Sequence, residues 1–167
     1  MVTTVSDDKE RLTVMEVVKD IDARLFPVGR LDLDTEGLLL ITNDGTLAHE
    51  LLSPKKHVTK TYFAKVQGRV TKEDVQRFSL GLDIKEEKPT LPATLVIEKS
   101  DDISEIRVSI TEGKYHQVKR MFEAVGKQVL FLKRLSMGTL QLDESLTPGS
   151  YRALTTEELS ALKNRTI

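Results

Sequence analysis

Two hydrophobic periods run along this chain, and the helices and strands they predict do not strictly alternate. Val14-Met15, Val17-Val18 and Ile21 recur at helical spacing behind a capping box of Thr13 and Glu16, which predicts a helix over 14–24 ended by Pro27. The apolar run 37–42, closed by Asn43-Asp44-Gly45, predicts a buried strand, and 46–52 a short helix stopped by Ser53-Pro54. Polar and apolar residues alternate over 60–67, which predicts a half-buried strand. Thr71 with Asp74 starts a second helix ending near Gly81.

Two further strands follow, at 94–98 and 105–111, joined across Ser100-Asp101-Asp102. In the second, Ile106, Val108 and Ile110 alternate with Arg107 and Ser109, so one face is wet. A helix over 115–125 carries Val118, Met121, Phe122 and Val125 on one face and stops at Gly126. Strands at 128–135 and 139–142 follow, then a helix capped by Thr155 and Glu158. This order predicts an α+β fold with a mixed, mostly antiparallel central sheet and flanking helices.

Composition adds bounds. With 167 residues, 39% hydrophobic and 31% charged, the chain reads as one globular domain or two closely packed lobes. The absence of cysteine excludes disulfides, thiolate chemistry and cysteine-based zinc sites. No apolar run has the length of a membrane span and no signal-peptide pattern opens the chain, so a cytoplasmic protein is expected. Net charge is −1, yet charge is segregated. Residues 53–72 hold six bases and no acid, and 113–142 hold six bases against Glu123 alone. The two segments are either ordinary solvated faces or, if they share a cleft, a footprint for a polyanion.

The chemistry concentrates in three places. Arg30, Asp32 and Asp34 alternate at the mouth of the apolar run, so an extended segment would put them on one face. They are either a salt-bridged strand edge or a reactive carboxylate with a cationic partner beside a dry pocket. A metal-binding Asp-x-Asp of the phosphatase kind spaces its threonine two beyond the second aspartate and follows the apolar strand. Here Thr35 comes directly after Asp34 and the run follows the pair, which disfavours it. Lys60-Thr61-Tyr62 sets a cation and a phenol two apart, where Tyr62 is a core aromatic or a residue that stacks on a base and handles a proton. Lys114 at a helix start, with Lys119 and Arg120 one turn on, suggests an anion in front of them. His49, His57 and His116 lack metal-ligand spacing.

In combination, Gly-Arg-Leu-Asp-Leu-Asp-Thr-Glu-Gly-Leu-Leu-Leu at 29–40, Lys-Thr-Tyr at 60–62 and Glu-Gly-Lys-Tyr-His-Gln-Val-Lys-Arg-Met at 112–121 resemble the ribosomal RNA pseudouridine synthases. The likeness runs in order from about Arg11 to Leu162. Tyr-His-Gln-Val-Lys-Arg at 115–120 is more similar to the small-subunit (16S) branch than to large-subunit relatives, which tend to carry Asn-Arg in place of Tyr-His. The resemblance implies the pseudouridine synthase fold with an RNA-binding cleft, isomerisation of one uridine in ribosomal RNA, and neither cofactor nor metal. By it Asp32 is the catalytic aspartate, Tyr62 the active-site tyrosine and Lys119 the cation paired with Asp32, with Asp34 a supporting residue. Arg30, Lys55, Lys56, His57, Lys60, Lys114, His116 and Arg120 are then RNA-binding candidates. A monomer acting on ribosomal RNA or a pre-ribosomal particle is expected. The other readings are a large-subunit enzyme, a non-catalytic ribosomal RNA-binding or assembly factor and, more remotely, a metal-dependent phosphatase or nuclease.

One departure stands out. Family members usually open this domain with a strand carrying Lys-Pro-x-Gly, preceded by a small RNA-binding module, whereas this sequence starts at Met1-Val2. The expectation is a catalytic domain over 1–167 lacking both, with an uncovered sheet edge or core face and weak, steeply salt-dependent RNA binding.

Overall fold

The computed structural model describes residues 14–21 and 24–164. Its strands are β1 (Phe26–Pro27), β2 (Glu36–Gly37), β3 (Ile41–Thr42), β4 (Lys60–Gln67), β5 (Thr94–Lys99), β6 (Ile103–Ile110), β7 (Gln128–Met137) and β8 (Leu140–Gln141). Its α-helices are α1 (Gly45–Leu52), α2 (Lys72–Leu80), α3 (Gln117–Ala124) and α4 (Thr156–Lys163). The alternating segment at 60–67 is the middle of the main sheet, whose order is β2-β7-β4-β6-β5 with β8 folded back on β7. β4 pairs antiparallel with β6 from Lys60↔Ile110 to Gln67↔Ile103, and antiparallel with β7 on its other side. β2 joins β7 in parallel, so the sheet is mixed and mostly antiparallel, as the element order predicts.

Side-chain alternation explains where the cores lie. Ala64, Val66, Ile106 and Val108 bury one face of the sheet against Phe78 of α2 and Met121 and Phe122 of α3. The Phe78 and Phe122 rings meet at 4.9 Å with a 51° tilt, an aromatic contact that adds about 1 kcal/mol to the area it buries. A second core gathers Val28, Leu40, Leu47, Leu51, Val58, Met137 and Leu162, which ties α1 and α4 to the β7–β8 end of the sheet.

Three expectations need correction. The segment predicted as a helix over 14–24 forms a 3-10 helix at Val14–Val18, and its capping residue Thr13 lies outside the described residues. Three of the five residues at 14–18 are β-branched valines, which lowers helix propensity, and the chain must be extended by Phe26 to pair with Thr42. The apolar run 37–42 is two short strands in two different sheets: Gly37 pairs with Arg134 of β7, while Ile41 pairs with Pro27. Gly37 makes the division possible. Its φ is +109°, and a Cβ there would lie 2.2 Å from the Arg134 carbonyl oxygen. Finally, α3 starts at Gln117, not at 115, because His116 takes a left-handed backbone with φ +49°. Asn43-Asp44-Gly45 ends the run as predicted, and Asp44 caps α1 by accepting the Leu47 N–H at 3.0 Å.

Candidate active site

The segment 30–35 leaves the second core and crosses to the edge of β7 without being a strand. Its Thr35 N–H donates to the Asp32 carbonyl at 2.9 Å, closing a turn. The expected strand-like alternation of Arg30, Asp32 and Asp34 is therefore replaced by a turn, which bends both carboxylates toward α3. Lys119 Nζ lies 2.6 Å from Asp34 Oδ1 and 3.3 Å from Asp32 Oδ2, while His116 Nε2 lies 3.3 Å from Asp32 Oδ1. His116, with its left-handed backbone just ahead of α3, and Lys119 in the first turn of α3 reach the same carboxylate.

Burial and pairing act together on these groups. Desolvation works to lower the Lys119 pKa, but the hydrogen bond to Asp34 and the charge of Asp32 outweigh it and hold the ammonium above its usual value. The same hydrogen bond holds the Asp34 carboxyl below its usual range. Asp34 nonetheless projects into solvent, its side chain 76% exposed, whereas that of Asp32 is 25% exposed.

Asp32 opens onto a small cavity of about 90 Å³. Arg30, Thr35, Tyr62, Lys114 and His116 line its polar parts, and Ile110, Val118 and Leu132 its apolar parts. Tyr62 comes from the sheet centre, packed against the core. This chemistry suits a flat heterocycle: apolar walls, one aromatic ring, and one carboxylate with Lys119 nearest one oxygen and His116 nearest the other. The loop that supplies Lys114 and His116 is pinned from beneath. Buried Gln117 accepts the Lys114 N–H at 3.0 Å and donates to buried Glu112 at 3.2 Å, and Glu112 accepts the Leu91 N–H at 2.5 Å.

Asp32, Tyr62 and Lys119 thus come together, with Arg30, Lys114 and His116 around the same cavity. The remaining candidates stand elsewhere. Lys55 and Lys56 lie on the 3-10 helix Pro54–Lys56 before β4, with His57 after it at φ +50°, outside the cavity lining. Lys60 is buried at 6% exposure, and desolvation followed by the charge of Arg134 lowers its pKa. Lys114 and Arg120 spend their cations internally. Lys114 Nζ donates to the Lys88 carbonyl at 2.9 Å, and Arg120 bonds Glu86 at 2.7 Å and the carbonyls of Tyr115 and Ile84. Sequence reasoning missed Thr35, Gln117 and the contact of His116 with Asp32, which depends on the left-handed backbone of His116 and has no periodic signal in the sequence.

Comparison with known proteins gives a consistent picture. The family model described as RNA pseudouridylate synthase matches residues 2–124. An uncharacterized RNA pseudouridine synthase of Bacillus subtilis is 49% identical over 164 residues, covering 96% of this chain and 69% of that protein. Ribosomal small subunit pseudouridine synthase A of Escherichia coli is 40% identical over 159 residues, 94% of this chain and 68% of that one. Ribosomal large subunit pseudouridine synthase B of Bacillus subtilis is 41% identical over 165 residues, 98% and 67%. A crystal structure of a pseudouridylate synthase superposes with a TM-score of 0.82 at 41% identity, covering 90% of this chain and 65% of that one. A chain of an archaeal box H/ACA Nop10–Cbf5 complex matches at a TM-score of 0.61 and 20% identity, a likeness of fold alone. This chain spans about two thirds of the length of its curated relatives.

Proposed function

This chain belongs to the RNA pseudouridylate synthase family and has the pseudouridine synthase fold, and on that premise we propose that it isomerises one uridine of small-subunit ribosomal RNA to pseudouridine. The observation that carries this reading is the setting of Asp32, whose two carboxylate oxygens face Lys119 and His116 at the edge of a cavity shared with Tyr62.

The reaction breaks the bond between the sugar C1′ and uracil N1, turns the base, joins C5 to C1′ and moves the C5 proton to nitrogen, so nothing is gained or lost overall. Ionised Asp32 drives base departure either by attacking C1′ or by taking a sugar proton, and the carboxylate suits both routes. Lys119 supplies a positive charge 3.3 Å from that carboxylate. Tyr62 stacks on the freed uracil and handles the C5 proton. The target base must leave its stack to reach Asp32, and Arg30 at the cavity holds it out or holds a neighbouring phosphate.

No helix among the described residues is long and apolar enough to cross a membrane. We place the protein in the cytoplasm as a monomer acting on ribosomal RNA or a pre-ribosomal particle. Identities of 40% to small-subunit synthase A and 41% to large-subunit synthase B do not separate the two substrates, and Tyr115-His116 within the 112–121 motif supports the small-subunit reading. Mapping pseudouridine across both ribosomal RNAs in cells with and without the gene decides between them. The expected result is loss of one site from the small-subunit RNA. Loss from the large-subunit RNA would contradict the substrate, and loss of none would favour a non-catalytic binding factor.

A further inference from the structure

We propose that His116 is a positioning residue for Asp32 and that the Tyr115 ring braces it, an inference that rests on Asp32 being the reactive carboxylate. Lys119 alone leaves Asp32 loosely held. Its ammonium is shared between two carboxylates and sits nearer the exposed one, 2.6 Å from Asp34 against 3.3 Å from Asp32. Its nearest approach to Asp32 is to Oδ2, which leaves Oδ1 for a second partner. His116 Nε2, 3.3 Å from Oδ1, supplies the second point.

The ring that supplies it is itself fixed. The left-handed backbone of His116 sets the direction of the side chain just ahead of α3. The Tyr115 ring lies parallel to the imidazole, with centroids 3.8 Å apart and planes 18° apart. Tyr115 is 72% exposed, too open for its ring to be filling a core, and its carbonyl accepts from Arg120 Nη1 at 3.0 Å. The Gln117–Glu112 bond secures the following residue at 3.2 Å. Stack, backbone and loop therefore converge on one imidazole orientation, and that orientation faces Asp32.

A purely RNA-binding His116 would act on affinity; a positioning His116 acts on the rate of bound substrate. The test is single-turnover isomerisation of a small-subunit ribosomal RNA transcript at saturating enzyme, with transcript binding and thermal melting measured alongside. His116→Asn keeps a residue that tolerates the left-handed backbone but cannot reach Asp32. It should lower the saturating rate about tenfold, since misplaced reacting groups are costly, with binding changed less than about twofold. His116→Gln, whose amide N–H reaches the place of Nε2, should recover most of the rate, and Tyr115→Ala should lose part of it. Weaker binding at an unchanged saturating rate, or a Gln variant no better than Asn, would overturn the positioning role while leaving the function intact. A wild-type protein that binds the transcript and isomerises nothing would overturn the reading of the site and this role with it.

Discussion

Asp32 and Asp34 share one lysine but stand in different surroundings. Asp34 makes the shorter contact, yet it is open to water, where an ion pair is screened and contributes little. Asp32 is withdrawn into the cavity wall, with Lys119 nearest one oxygen and His116 nearest the other. Asp34→Asn should therefore cost less than about 1 kcal/mol of stability in urea unfolding and slow isomerisation no more than about fivefold. A loss as large as that from replacing Asp32 would contradict this division of roles. Because Lys119 holds the Asp34 pKa down, the pair is intact above the ordinary carboxylate value and is lost only as pH falls through the lowered one. Much of this site was legible in sequence as a set of residue types. What was not legible is which cations are free. Lys114 and Arg120 read as phosphate ligands until the carbonyls of Ile84 and Lys88, about thirty residues upstream, are seen to occupy them.

Elements with a strong period or a complete cap were the legible part of the fold. β4, β6, α2 and α4 follow their patterns because local preference and burial agree there. The run 37–42 misled because an apolar stretch does not say which sheet it joins, and Gly37 lets it change sheets midway. α4 offers a test at this scale. Its capping box is completed by Glu158, which with Asp143 grips Arg152: the Glu158 pair is bidentate at 2.7 and 2.9 Å, and Asp143 accepts at 2.8 Å. Hydrogen bonds from Arg152 hold Glu158 down to about 2, and bonds from Ser145 and then Arg152 hold Asp143 down to about 2. Depressed carboxylates stabilise above their unfolded values, here 4.5 and 3.8, and lose that contribution as pH falls toward about 2. Amide exchange in α4 should therefore speed up across that window ahead of β4, and Arg152→Ala should flatten the dependence. Equal acid sensitivity of α4 and β4 in the wild type would contradict it.

Across the whole molecule, the fold gathers a site from parts far apart in sequence: a turn at 30–35, the central strand β4 and the start of α3. The segregated charge that suggested a polyanion partner is a weaker signal in three dimensions. Lys60 and Arg134 are buried, Lys127 pairs with buried Asp74 at 3.0 Å, and Arg69 pairs with Asp101 at 3.5 Å. The basic segments serve the fold as much as any RNA surface, and the proposed function turns on Asp32 and its neighbours. The measurement that tests it most directly is tritium release from RNA labelled at carbon-5 of uridine, run with wild type and Asp32→Asn beside transcript binding and thermal melting. Release by the wild type, abolished in a variant that melts and binds as the wild type does, is the predicted result; release at the wild-type rate from Asp32→Asn would contradict it.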